Sequence, residues 1–169
     1  MRSTKRSRGF TLLELLVVIA IIAILAILLV SVSRTLSARA QRAQCAANLR
    51  SLYVGTEAYL QQNGSWPQIS DESESDEAAA WIAALKPFGP TEKTWICPTI
   101  QNLMQNPDYM KAENARIDYI ASSFDDKPTS PHEWPRQPWF AEVANVHGHG
   151  NLIIFTDGSI SDLGTVTGK

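Results

Sequence analysis

The chain has 169 residues, with 15 basic and 17 acidic side chains and a formal net charge of −2 at pH 7. The part after the long apolar and amphipathic segment, residues 66–169, is about a hundred residues, enough for one small core and too few for two domains. Four basic residues, Arg2, Lys5, Arg6 and Arg8, lie in the first nine positions; from Phe10 onward 11 basic residues face 17 acidic ones, near −6, the opposite of a nucleic-acid-binding charge pattern. Residues 1–9 are polar and end at Gly9, small enough to enter a protease cleft. Residues 8–25 then read RGFTLLELLVVIAIIAIL, in which Glu14 is the one carboxylate of an apolar stretch. An ionisable group in such a stretch is costly in hydrocarbon and faces a specific partner, so Glu14 is a candidate functional residue. A secretory signal peptide fits less well. The uninterrupted apolar run at 15–30 is 16 residues, above the usual range, and the small-residue site Ala38-Arg39-Ala40 lies beyond Arg34.

Gly9, Phe10, Thr11, Leu12, Leu13 and Glu14 resemble the G-F-T-L-x-E signature of type IV prepilins and type II secretion pseudopilins. The resemblance implies a leader at 1–9 cut by a prepilin peptidase between Gly9 and Phe10, with methylation of the new Phe10 amine. It also implies that Glu14 neutralises the amino terminus of an adjacent subunit. A carboxylate and an ammonium, each costly alone in hydrocarbon, become tolerable as a pair.

After Phe10 no glycine occurs before Gly55 and no proline before Pro67, which predicts a helix over residues 10–59, 50 residues long and about 75 Å in extent. Residues 10–30 are predicted to form a transmembrane and assembly helix of bilayer-crossing length, and residues 31–62 an amphipathic continuation. In the continuation Leu36, Ala40, Ala43, Ala47, Leu49, Leu52 and Tyr53 alternate with Arg34, Arg39, Arg42, Asn48 and Arg50 at helical spacing. The basic leader places the amino terminus in the cytoplasm and the rest beyond Val30 on the far side.

Further pieces narrow the resemblance. Cys45-Ala46-Ala47-Asn48-Leu49-Arg50-Ser51-Leu52 resembles the Cys-x-x-Asn-Leu-x-x-Leu block of pseudopilin-like proteins of planctomycete and verrucomicrobial type. The Tyr59 to Pro67 segment, the Cys97-Pro98 step, and His147 followed by Asp157-Gly158 resemble other blocks of that group, in the same order. Val30 stands where many relatives carry a helix proline, so this helix is predicted to be straighter.

Residues 63–169 are predicted to form an α+β head, giving the pilin-like plan of a long N-terminal helix packed on a small antiparallel sheet. The acidic stretch at 70–77, SDESESDE, is a solvated loop able to supply the N-cap of a helix over 78–85; it lacks the ligand alternation of a calcium loop. Residues 116–120 and 151–155 carry strand signals. Asp157-Gly158 between apolar runs predicts a two-residue hairpin turn. Pro128, Pro131, Pro135 and Pro138 mark an irregular loop whose Trp134 and Trp139 are predicted to cover the sheet.

His147, His149 and Asp157 form a weak metal-binding candidate; the competing reading is a glycine-permitted turn in which His147 bonds to its own loop. No catalytic residue is identified, and no cofactor is expected. For Cys45 and Cys97 two states stay open, a disulfide in an oxidising compartment or a buried reduced pair. The chain is therefore expected to be a non-enzymatic pseudopilin or type IV pilin-like subunit of a periplasmic filament, of a type II secretion-like system. Its expected location is the bacterial inner membrane, single-pass, with the head periplasmic, and then the pseudopilus. Its expected partners are prepilin peptidase, like subunits, an inner-membrane assembly platform and membrane lipid, without nucleic acid. The alternatives are a pilus or competence pilin for adhesion or DNA uptake, and a membrane-tethered binding domain that uses a pilin-type export signal.

Overall fold

The computed structural model describes residues 11–69, 73–104, 116–148 and 150–166, with the backbone alone at 29–32, 34, 75 and 166. The chain divides into two compact units, Met1–Ser37 and Ala38–Lys169. Helix α1, Leu12–Asn63, contributes to both. It runs through Val30 without interruption, as the lack of a proline there allows.

In the first unit the described side chains at 11–28 are all exposed, including Leu12, Ile19, Leu25 and Ile27. A helix that is apolar on every face has no polar side to give to water. Among the described residues no helix is long and apolar enough to cross a membrane.

In the second unit α1 buries a stripe of Cys45, Asn48, Leu49, Leu52, Gly55, Thr56 and Leu60, at the three- and four-residue spacing of one helix face. This differs in part from the stripe that periodicity predicts: Leu36, Ala40, Ala43 and Ala47 are exposed. Small alanines are compatible with either face, whereas the buried positions include a cysteine, an asparagine and a threonine, residue types that a count of aliphatic periodicity passes over. Gly55 lies where the helix meets the loop at Pro90; a β-carbon there would stand 2.6 Å from Pro90 Cγ and Cδ. The helix ends at Gly64, which has a φ of 74° and donates its N–H to Leu60 O at 2.8 Å, the left-handed termination that glycine favours.

Helix α2, Glu74–Leu85, starts at Ser73, whose hydroxyl accepts the Asp76 N–H at 3.2 Å. The acidic residues Glu74, Asp76 and Glu77 are thus the first turn of the helix rather than a loop before it, where carboxylates oppose the positive end of the helix dipole. Ala78, Trp81 and Leu85 face inward. Helix α3, Pro98–Met104, begins with a proline, whose missing N–H is not needed at that position.

The sheet is an antiparallel meander in the order β1, Tyr119–Ala121; β2, Pro138–Glu142; β3, Leu152–Phe155; β4, Ile160–Asp162. A four-residue helix α4, Leu163–Val166, follows. Strand β3 is buried at every position, which accounts for an unbroken Leu-Ile-Ile-Phe run instead of an alternating one. β1 begins three residues later than the run at 116–120 implies. Trp139 is a fully buried residue of β2 rather than part of a covering loop, and its Nε1 donates to Pro131 O at 2.8 Å; Trp134 is exposed.

The β3–β4 turn also departs from the two-residue form. Gly158 N–H bonds to Phe155 O at 2.8 Å and Phe155 N–H to Ser159 O at 3.0 Å, with Gly158 at φ 73°. Asp157 does not have a positive φ, as a type I′ turn would require, so this is a three-residue loop whose glycine takes the left-handed position. The core between helices and sheet is aromatic. The Trp66 ring lies 4.7–6.0 Å from those of Phe124, Trp139, Trp81 and Phe140, edge-to-face or tilted, as ring quadrupoles favour. The whole is the α+β, pilin-like arrangement of an N-terminal helix and a four-stranded antiparallel sheet.

Replacing Gly55 with Val is expected to destabilise the head by about 1–3 kcal/mol through overpacking against Pro90. Val54→Ala, at a neighbouring exposed position, is expected to stay within about 0.5 kcal/mol of the parent. Unfolding of the full chain in mild detergent, followed by tryptophan fluorescence, reads both.

Candidate functional site

Two places carry the sequence-derived candidates. The first is the start of α1. Gly9 and Phe10 lie outside the described residues. Thr11 N–H and Thr11 Oγ1 both donate to Glu14 Oε2 at 2.9 Å, while Glu14 N–H donates to Thr11 Oγ1 at 3.2 Å. This reciprocal arrangement is a capping box. The Thr-x-x-Glu spacing is legible in the sequence, and it gives Glu14 a local role in starting the helix. The carboxylate remains exposed at the surface of the single chain, available to a further partner.

The second place lies in the head, where α1, the turn before α3, the end of β2 and the β2–β3 loop meet. Cys45 and Cys97 are joined by a disulfide with 5.3 Å between α-carbons, inside the range that a bridge can span. Both are completely buried. One helical turn beyond Cys45, Asn48 Nδ2 donates to Ile96 O at 2.9 Å and to the Tyr119 hydroxyl at 3.3 Å. Leu49 and Leu52 are 0% exposed, each burial being worth about 1.5–3 kcal/mol. The Cys-x-x-Asn-Leu-x-x-Leu block therefore clamps α1 to the head with a covalent link, an amide fork and two leucines on one face.

Asp118 accepts the Cys97 N–H at 2.9 Å and pairs with Arg116, whose Nε is 2.9 Å from Oδ1. Burial pushes the Asp118 carboxyl above its ordinary range, against the opposing pull of the Cys97 N–H and the Arg116 charge. The same burial pushes the Tyr119 phenol upward. On the other side, His147 Nε2 lies 3.1 Å from Glu142 Oε1 and 3.9 Å from Cys97 Sγ. The Glu142 and His147 side chains are 0% and 3% exposed. Glu142 Oε2 takes the Leu152 N–H at 3.0 Å, ending the β2–β3 ladder with a side chain. Burial raises the Glu142 carboxyl above the usual range, opposed by the Leu152 N–H, His147 and the Arg42 charge.

His147 thus bonds to Glu142 at the end of β2 and not to its own loop. The loop is held by Asn145 instead, whose Oδ1 accepts the N–H groups of Gly148 and Gly150 at 3.2 and 3.1 Å. His149 lies outside the described residues. Asp157 is not brought to His147; it sits in the β3–β4 turn, where Oδ1 accepts the Ser159 N–H at 2.9 Å. Its neighbour Gly158 approaches the ring of Tyr53, and the Tyr53 hydroxyl donates to Thr156 O at 2.9 Å. The Asp-Gly block is a second point of attachment to α1. Sequence reasoning misses Glu142 and Asp118 because neither stands in a motif; for Glu142 the one signal is its short step to His147, across the loop that follows β2.

Residues 4–30 match the family described as the prokaryotic N-terminal methylation motif. The match is consistent with a type IV prepilin-like protein, and the motif implies processing by prepilin peptidase, a membrane-anchored amino terminus and pilin-like assembly. No curated protein and no solved structure matches the chain.

Two measurements test the clamp. Asn48→Ala leaves the Tyr119 hydroxyl and Ile96 carbonyl without their partner and is expected to cost about 1–3 kcal/mol. Reduction of the disulfide in metal-free buffer is expected to cost about 2–5 kcal/mol, given the 52-residue separation that it closes. Thermal unfolding of the full chain in detergent, with and without reductant, measures both.

Proposed function

We propose that the chain is a non-enzymatic pseudopilin, a subunit that waits in the inner membrane and is drawn into a helical filament of a type II secretion-like system. The observation that carries this reading is the stretch of α1 at 15–28: side chains apolar on every face, exposed, and preceded by the Thr11–Glu14 capping box. Such a surface is stable in lipid or among like helices, and transfer from one to the other keeps it out of water.

In this reading residues 1–9 are a cytoplasmic leader, prepilin peptidase cuts between Gly9 and Phe10, and the Phe10 amine is methylated. Residues 10–30 anchor the chain in the lipid, residues 31–62 continue the helix, and residues 63–169 form the periplasmic head. Glu14 pairs with the Phe10 ammonium of a neighbouring subunit, because a subunit one helical step out of place would leave both charges unpaired in an apolar filament core. The Cys45–Cys97 disulfide supports a head exported to an oxidising compartment. The assembly platform is the machine that extracts the subunit.

Amino-terminal sequencing of the protein recovered from membranes is expected to begin at N-methylated Phe10, and Gly9→Leu to leave the leader attached. Glu14→Ala is expected to be processed normally but to lower filament yield in a shearing assay at least about tenfold, corresponding to about 1.4 kcal/mol. Filaments at parental yield would remove the proposed role of Glu14. A mature start at Gln41 would return the chain to the ordinary secreted class.

A further inference from the structure

Four potential metal ligands from four separate segments converge in the head. Cys45 Sγ, Cys97 Sγ, a carboxylate oxygen of Glu142 and a ring nitrogen of His147 all lie within 4.8 Å of one another. They come from α1, the residue before α3, the end of β2 and the β2–β3 loop, so only the folded head assembles them. The two cysteines and Glu142 are buried, and the His147 side chain is 3% exposed.

We propose that the head in its dithiol form binds one Zn2+ ion through Cys45, Cys97, His147 and Glu142, the disulfide and the metal being alternative closures of one centre. The donor set is the first support. Two thiolates, one imidazole and one carboxylate satisfy the four-coordinate preference of Zn2+, and sulfur ligands select it over calcium or magnesium, which require more oxygen donors than this pocket holds. Ion uptake balances as two thiols plus Zn2+ giving two bound thiolates and two released protons, the proton between His147 Nε2 and Glu142 Oε1 moving to His147 Nδ1 so that both atoms can ligate, with no electron transferred.

Geometry is the second support. Across a tetrahedral ion with Zn–S bonds of about 2.3 Å, two sulfurs stand roughly 3.8 Å apart. His147 Nε2 is already 3.9 Å from Cys97 Sγ and 3.1 Å from Glu142 Oε1. Once the sulfurs are not bonded to each other, small side-chain rotations bring all four atoms to a common centre, and the 5.3 Å between the cysteine α-carbons does not prevent it.

The surroundings are the third. Glu142 Oε2 is oriented by the Leu152 N–H, and the Cys97 backbone is held by Asp118, the kind of outer contacts that fix metal ligands. Two thiolates and a carboxylate around a dication leave one negative charge; Arg42, whose guanidinium is held by Asp162 at 2.6 Å, adds a weaker attraction at Glu142. A cleft of about 310 Å³ lined by Ala38, Arg39, Gln41, Arg42, Thr99, Val146 and His147 opens beside the histidine and provides an approach for the ion. Either closure ties α1 to the Cys97 turn, so a chain whose thiols are still reduced can hold the helix to the head through the ion.

The test uses the full chain in detergent, reduced with a phosphine, stripped of metal and then titrated with Zn2+ against a chromophoric chelator, and with Co2+ as a spectroscopic probe. The expected result is one ion per reduced chain, thiolate-to-cobalt charge transfer with the intense visible bands of a tetrahedral site, and recovery of thermal stability lost on reduction. The oxidised chain is expected to bind at least about tenfold more weakly, and so are reduced His147→Gln and Glu142→Gln, tenfold being the lower end of the loss from removing even an outer-shell partner. A reduced, folded parent chain that takes up no stoichiometric Zn2+, or an oxidised chain that binds equally well, would overturn the proposal. Unchanged affinity in both variants would do the same. The comparison of reduced and oxidised parent decides the matter even where a variant does not fold.

Discussion

The structure depends on how one helix is held after its surroundings change. A single backbone hydrogen-bond ladder runs the length of α1, but the side chains of its early turns are apolar on every face whereas the later turns bury only one. Helical hydrogen bonds cannot supply specificity between the two regimes, because they are the same throughout. That falls to the contacts of Cys45, Asn48, Leu49 and Leu52 with the head. Leucines supply non-directional burial, while the disulfide and the Asn48 fork fix the rotation and axial position of the helix, since neither tolerates a displacement of one residue.

Polar groups are concentrated where the helix is pinned. Asn48, Asp118 and Glu142 are buried together with the disulfide, and each has at least one partner among backbone groups or neighbouring side chains. A buried polar group without a partner costs about as much as a leucine contributes, so these positions constrain one another. The aromatic side of the core works differently: Trp66, Trp81, Trp139 and Phe140 exclude water over a large area and leave the finer positioning to the polar side. The covalent and amide contacts thus lie where the helix meets the sheet side of the head.

Residues with strong local physics are legible in the amino-acid order alone. Thr11 and Glu14 have capping-box spacing, Gly64 and Asp157-Gly158 mark chain reversals, and the Leu-Ile-Ile-Phe run of β3 announces a buried strand. Other features do not show because their signal is not local. Periodicity places the buried stripe of α1 partly at Leu36, Ala40, Ala43 and Ala47, since it counts aliphatic residues and cannot see that a cysteine, an asparagine and a threonine face the core. Trp139 reads as a loop residue because Pro138 precedes it, although proline is tolerated as the first residue of a strand. Proximity along the chain groups His147 with His149 and Asp157, whereas folding gives it Glu142 and Cys97.

By itself the sequence determined the prepilin-type amino terminus, the long helix without breakers, and the α+β character of the head, because each of these is written in spacing and composition along the chain. Only the tertiary structure decided which atoms meet: Cys45 with Cys97 across 52 residues, Asn48 with Tyr119, and Glu142 with His147 beside the sulfurs. Those meetings depend on strand register, loop conformation and helix rotation. These are set by the packing of the whole core and leave no mark on any short stretch of sequence.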